Sequence, residues 1–159
     1  MALTKGTNSY CTLAEANAYL VDRLYSDAWS LATDSLKEQA LITATRVLDN
    51  LNWIGTAISE SQLLAFPRSG QYFDPRLGMT IALSDTNIPD RIIKATCELA
   101  YHLIQNEGIL DDTGKLQSLK VDTISLDFIM PASKIPYSVK GQIKPLQPNN
   151  GSRVWFRSN

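Results

Sequence analysis

The sequence has a single histidine, His102, and two cysteines, Cys11 and Cys97, among 159 residues. A catalytic triad or zinc site built on His102 needs Cys, Asp or Glu partners from elsewhere in the chain. Nothing local supplies them, and Glu98, four residues earlier on the same predicted helix, can simply pair with it on the helix surface. The cysteines form no CxxC pair and read as two buried thiols in a reducing compartment, with a disulfide between them as the alternative. No apolar run approaches the ~18 residues of a membrane-spanning helix. The opening MALTKGTNSYCTLAEANAYL lacks the uninterrupted apolar core of a signal peptide, so the expectation is a protein that begins here, in a cytoplasm. No GxxxxGK(S/T) or GxGxxG cradle for phosphates is present. Asp111-Asp112-Thr113-Gly114 lacks the alternating oxygens and closing Glu of a calcium loop. No spacing argues for a carboxylate pair working as acid and base. The sequence therefore assigns no catalytic, cofactor or metal residue, and an enzyme is not expected.

What is present is an ordinary globular composition, 44% hydrophobic and 19% charged. A chain of this length buries roughly 70% of its unfolded surface, enough for one core without staples. The net charge of −1 hides an asymmetry. Residues 1–112 carry 8 Lys+Arg and 14 Asp+Glu, net −6, whereas residues 113–159 carry 7 basic and 2 acidic, net +5. The basic set is Lys115, Lys120, Lys134, Lys140, Lys144, Arg153 and Arg157. Such halves suggest a tail that meets something acidic, either nucleic acid or the acidic half of a neighbouring copy; a merely solvated tail fits as well.

Periodicity organises the chain. Thr12-Leu13-Ala14-Glu15 is a capping box that opens a helix carrying Leu13, Ala16, Leu20 and Leu24. Residues 26–33 read as an irregular link around Trp29. A second helix starts after Asp34 or Ser35 and aligns Leu36, Ala40, Leu41, Ala44, Val47, Leu48 and Leu51. Residues 59–64 suggest a short helix that Pro67 and Gly70 end. A long loop runs to about Asn87, and loops of that length tend to be functional or mobile. The central helix begins at Pro89 and runs through Ile92, Leu99 and Leu103 to Gly108. After Gly114 the period falls to two: Leu119 and Val121, then Ile124, Leu126 and Phe128. The phase slip at Asp122-Thr123 predicts a β-hairpin over 116–129, with one bulged strand as the alternative. Residues 137–144 suit a turn or two of helix within a Pro-containing, basic tail, 131–159. The fold class is mainly α: a small helical bundle, residues 1–130, with an added β-hairpin and an extended C-terminal tail.

Tyr137, Trp155 and Phe156 lie among the basic residues of that tail, an arrangement that can hold a single strand. The pI of about 5.8 is far from the value above ~9 of a dedicated nucleic-acid binder, and aromatic residues with Arg also anchor protein interfaces.

Four segments in order resemble one family. Ser9-Tyr10-Cys11-Thr12-Leu13-Ala14-Glu15-Ala16 with Tyr19 resembles the opening of small tailed-phage proteins. Ala44-Thr45-Arg46-Val47-Leu48-Asp49 with Trp53, Leu64-Ala65-Phe66-Pro67-Arg68-Ser69-Gly70, and Ile88-Pro89 through Ala100 are similar to its next three motifs. Phe66 stands where the family usually has Trp. The resemblance spans nearly the whole chain and implies a head–tail adaptor of a tailed bacteriophage. It implies a ring, commonly of twelve copies, between the portal protein and tail or nozzle proteins. DNA passes through the lumen without sequence-specific contact, and no cofactor or membrane is involved. The implied location is the virion neck, with the host cytoplasm during assembly. Members are often labelled DnaT-like single-strand DNA-binding proteins, which supplies the alternative function. On the adaptor reading the partner-binding residues are Arg68, Asp122, Thr123, Arg153, Trp155, Phe156 and Arg157.

Overall fold

A computed structural model describes residues 2–108, 118–121, 124–127 and 135–148. Among these residues it is mainly α, with five α-helices: α1 (Leu13–Val21), α2 (Asp27–Leu31), α3 (Asp34–Asp49), α4 (Asp90–Gln105) and α5 (Tyr137–Ile143). Three two-stranded antiparallel sheets accompany them: β1 (Thr56–Ala57) with β2 (Arg68–Ser69), β3 (Gln71–Asp74) with β4 (Met79–Ala82), and β5 (Ser118–Val121) with β6 (Ile124–Asp127).

Local signals explain where α1 and α3 begin. The Thr12 hydroxyl accepts from the Glu15 N–H, and the Glu15 carboxylate accepts from the Thr12 N–H, so the capping box is complete. Lys5 adds an ion pair to Glu15 at 2.5 Å. Burial pushes the Glu15 carboxyl up, but the bonds from Lys5 and Thr12 outweigh it and hold the group below its ordinary value. Helix α1 stops at Val21, earlier than its apolar stripe suggests. Leu24 is left on the surface, and Tyr25 takes a left-handed conformation at φ 57°. The link after it contains α2, which buries Trp29. The N-cap of α3 is Thr33, ahead of both expected caps, Asp34 and Ser35.

The core lies between α3, α4 and α5. Helix α4 buries Ile92, Ala95, Leu99, Ala100 and Leu103 against Leu41, Ala44 and Leu48 of α3 and Val139 and Ile143 of α5. A fully buried side chain of this kind contributes about 1.5–3 kcal/mol. Residues 137–146, within the expected tail 131–159, pack onto the bundle. Val139, Ile143 and Leu146 are apolar at helical spacing and are fully covered, so this part of the chain closes the bundle.

Two further expectations fail for identifiable reasons. Residues 59–64 form turns. The Gln62 side chain accepts from the Ile58 N–H at 2.9 Å and donates to the Leu64 carbonyl at 2.6 Å, competing with the helical ladder. The expected loop 70–87 contains the β3–β4 hairpin. By contrast, Val121 pairs with Ile124 and Leu119 with Leu126, the register that a two-residue turn at 122–123 demands; those two residues lie outside the described ones.

Glu98 does not pair with His102. It is buried on α4, where it accepts from the Tyr19 hydroxyl at 3.1 Å and from Arg23 Nε at 3.3 Å. Arg23 also stacks over the Tyr101 ring, 4.0 Å from its centre. Burial and the Glu98 charge push the Tyr19 hydroxyl up to about 12. A phenol whose pKa is raised on folding contributes stability that is intact below the unfolded value of about 10 and is lost as pH rises toward 12. Alkaline denaturation should therefore set in between pH 10 and 12. Tyr19→Phe should flatten that part of the stability–pH curve while costing about 1–2 kcal/mol at neutral pH, as measured by urea unfolding across the pH series.

Candidate nucleic-acid interface

The β3 side of the β3–β4 hairpin and the turn that follows α5 line one groove. Strand β3 alternates as its period requires. Tyr72 and Asp74 turn inward, and Gln71 and Phe73 turn outward, with Phe73 57% exposed. Helix α5 is equally two-sided. Val139 and Ile143 seal the core, while Tyr137, Lys140 and Lys144, at i, i+3 and i+7, face solvent. Tyr137 is 89% exposed. The short 3-10 turn Lys144–Leu146 that follows is tied to the body by the Ile54 N–H, which donates to the Leu146 carbonyl at 3.0 Å. A groove of about 420 Å³ lies between this turn and the hairpin. Its walls include Phe73, Gln71, Lys144, Pro145 and Gln147.

A second concavity of about 390 Å³ flanks the inner side of the hairpin, with Arg76, Arg91, Lys94 and Asp74 in its wall. Here the charges are largely satisfied. Arg91 Nη2 meets the buried Asp74 Oδ1 at 2.6 Å, and Lys94 Nζ meets Asp90 Oδ2 at 2.6 Å. The Arg91 guanidinium beside Asp74 holds that carboxyl below the usual carboxylate range, and Asp74 in turn raises Arg91. This pair fastens the hairpin to α4 and so fixes where Phe73 stands. Among the described residues, Lys140 and Lys144 enter no ion pair, so their charges remain available to an outside anion.

Residues 2–157 match the family model described as "Putative DnaT-like ssDNA binding protein". The chain belongs to this family. No curated protein and no solved structure matches it. Membership of the DnaT-like family overturns the head–tail adaptor expectation and favours its alternative, with DNA as the partner class. The match covers the stretch that holds all four motifs, and its description names neither a portal nor a ring.

The residues expected to bind partners fare unevenly in this DnaT-like chain. Arg68 is engaged within the fold: Nε donates to the Ile54 carbonyl at 2.8 Å, Nη2 to Gly55 at 2.7 Å and Nη1 to Ala65 at 3.3 Å. Asp122, Thr123, Arg153, Trp155, Phe156 and Arg157 lie outside the described residues. No sequence signal marks Phe73, because Asp74 breaks the apolar alternation of its strand. Tyr137, Lys140 and Lys144 were visible as an aromatic and two basic residues, but only the helix puts them on one face. His102 is partnered by Asn106 on the surface of α4. Among the described residues no group of three or more His, Cys, Asp or Glu side chains could hold a metal ion.

Proposed function

We propose that this protein binds single-stranded DNA without base readout and performs no chemistry on it. The strand runs along α5 past Tyr137, Lys140 and Lys144 and into the groove beside Phe73. The observation that carries the reading is that the exposed Phe73 ring and Lys144 line one groove, that the exposed Tyr137 and Lys140 precede Lys144 at helical spacing, and that the family is described by single-strand binding. Unpaired bases offer π-faces to Phe73 and Tyr137, and each such stack is worth about 1–3 kcal/mol irrespective of base identity. The lysines neutralise phosphates and release counterions. Arg153, Trp155, Phe156 and Arg157 follow Pro148 in sequence and again combine rings with cations.

Titrating a fluorescent oligothymidylate should give anisotropy-detected binding that weakens steeply with salt, and a duplex of equal length should bind less tightly. Phe73→Ala should weaken binding by roughly 5–150-fold. Lys140→Glu with Lys144→Glu should lower both affinity and the salt slope. All these positions are exposed, so folding should be unaffected. Unchanged affinity in both variants would sink the proposed path, and no salt-dependent binding to any single strand would sink the function.

A further inference from the structure

Cys11 and Cys97 are 86 residues apart in sequence, yet their sulfurs lie 3.9 Å from each other. Both side chains are fully buried, and both are free thiols. Cys11 sits just before the Thr12 cap of α1, in a segment that crosses the core face of α4. Cys97 is at the middle of α4 itself. We propose that these two thiols are a site of reversible oxidation, closing to an intramolecular disulfide that joins the N-terminal segment to the central helix.

The geometry favours this outcome over other fates of a buried thiol. A disulfide has an S–S bond of about 2.0 Å, so the sulfurs need to approach by about 2 Å. The two backbones differ in how readily they give. Cys97 is held within a sixteen-residue helix. The stretch around Cys11 is held by single bonds: the Tyr10 N–H donating to Thr45 Oγ1 at 3.3 Å, Ser9 Oγ donating to the Cys11 carbonyl at 2.8 Å, and the Tyr10 hydroxyl on Asp49. Rare opening of that buried stretch, which precedes the first helix, admits a small oxidant. Cys11 lies in the stretch that opens, whereas Cys97 stays within α4, so Cys11 meets the oxidant first.

The oxidant class is a peroxide. The Cys11 thiolate attacks one peroxide oxygen, the O–O bond breaks, and a sulfenic acid forms with release of hydroxide, which the displaced thiol proton converts to water. When the segment closes, Cys97 sulfur attacks Cys11 Sγ. The S–O bond breaks, the oxygen leaves as water with the Cys97 proton, and the S–S bond forms. Overall one peroxide is reduced to two waters and two thiols are oxidised to one disulfide. The adjacent thiol intercepts the sulfenic acid before a second oxygen adds.

Native full-length protein treated with hydrogen peroxide should lose two hydrogens by intact mass. After denaturation it should offer no thiol to iodoacetamide, and digestion should yield the Cys11 peptide joined to the Cys97 peptide. Closing so long a loop should raise Tm by about 10 °C, and dithiothreitol should reverse the change. Cys11→Ser and, separately, Cys97→Ala should each abolish both the cross-link and the rise in Tm. The wild-type mass result stands even if one variant folds poorly. Two thiols still alkylatable after peroxide, oxygen added without hydrogen lost, or a disulfide found only between two chains would each overturn the proposal.

Discussion

Phe66→Ala lowers the stability of this protein by about 3–5 kcal/mol, with a fall in Tm of order 10 °C, read by urea and thermal unfolding. The ring is 1% exposed. It meets Tyr10 edge-on with centres 6.0 Å apart and Trp53 edge-on at 5.1 Å. Edge contacts of this kind add about 0.5–1.5 kcal/mol beyond the area they bury. Truncation removes both and leaves a cavity whose other walls are anchored. The Tyr10 hydroxyl donates to Asp49 Oδ1, the Ala65 N–H donates to the same oxygen at 3.1 Å, and the Trp53 indole N–H donates to the Leu48 carbonyl at 3.1 Å. A rim held in this way relaxes little, which places the cost toward the upper part of the range. Tyr10→Phe should cost less alone, and the double variant should depart from additivity because the two rings touch.

Gly55→Ala is the second large loss expected, about 3 kcal/mol, and it comes from backbone rather than core volume. Gly55 adopts φ +72°, where a side chain costs roughly 1–2 kcal/mol. A Cβ there would also stand 2.2 Å from the Ser69 carbonyl oxygen, while Gly70 approaches Gly55 closely from the same side. The β1–β2 pairing of Thr56 with Ser69 and the Arg68 bond to the Gly55 carbonyl both depend on this approach. Gly78→Ala is the control: its φ is +67° but it has open space around the missing Cβ, so it should cost only about 1–2 kcal/mol. Equal losses at the two glycines, measured by chemical denaturation, would remove the steric part of the explanation.

The parts of the fold written in local chemistry were legible beforehand. The capping box at Thr12 and Glu15, the stripes of α3 and α4, and the register change at Asp122 are all decided within a few residues. The β3–β4 hairpin was not, because one inward position of β3 is Asp74. A carboxylate there breaks the apolar alternation, and it is made tolerable by Arg91, seventeen residues on, together with the Arg76 N–H at 2.9 Å. The motifs that carried the family resemblance turn out to be packing motifs. Tyr10, Asp49, Trp53, Phe66 and Arg68 gather at one junction of the core. They therefore identified the family and its fold while saying little about what the surface does. The candidate site was half visible: its charges and Tyr137 could be named, but their shared face and Phe73 depend on elements that meet only in three dimensions.

The placement of α5 has a consequence for how this protein comes off the ribosome. Helix α4 is complete by residue 105, yet part of its apolar face is covered by Val139, Ile143 and Leu146. A nascent chain therefore carries an uncovered stripe of its central helix while some forty further residues are made, at roughly 5–20 residues per second. Until Val139, Ile143 and Leu146 dock, the part of α4 that they cover stays unsealed, and their docking completes the core.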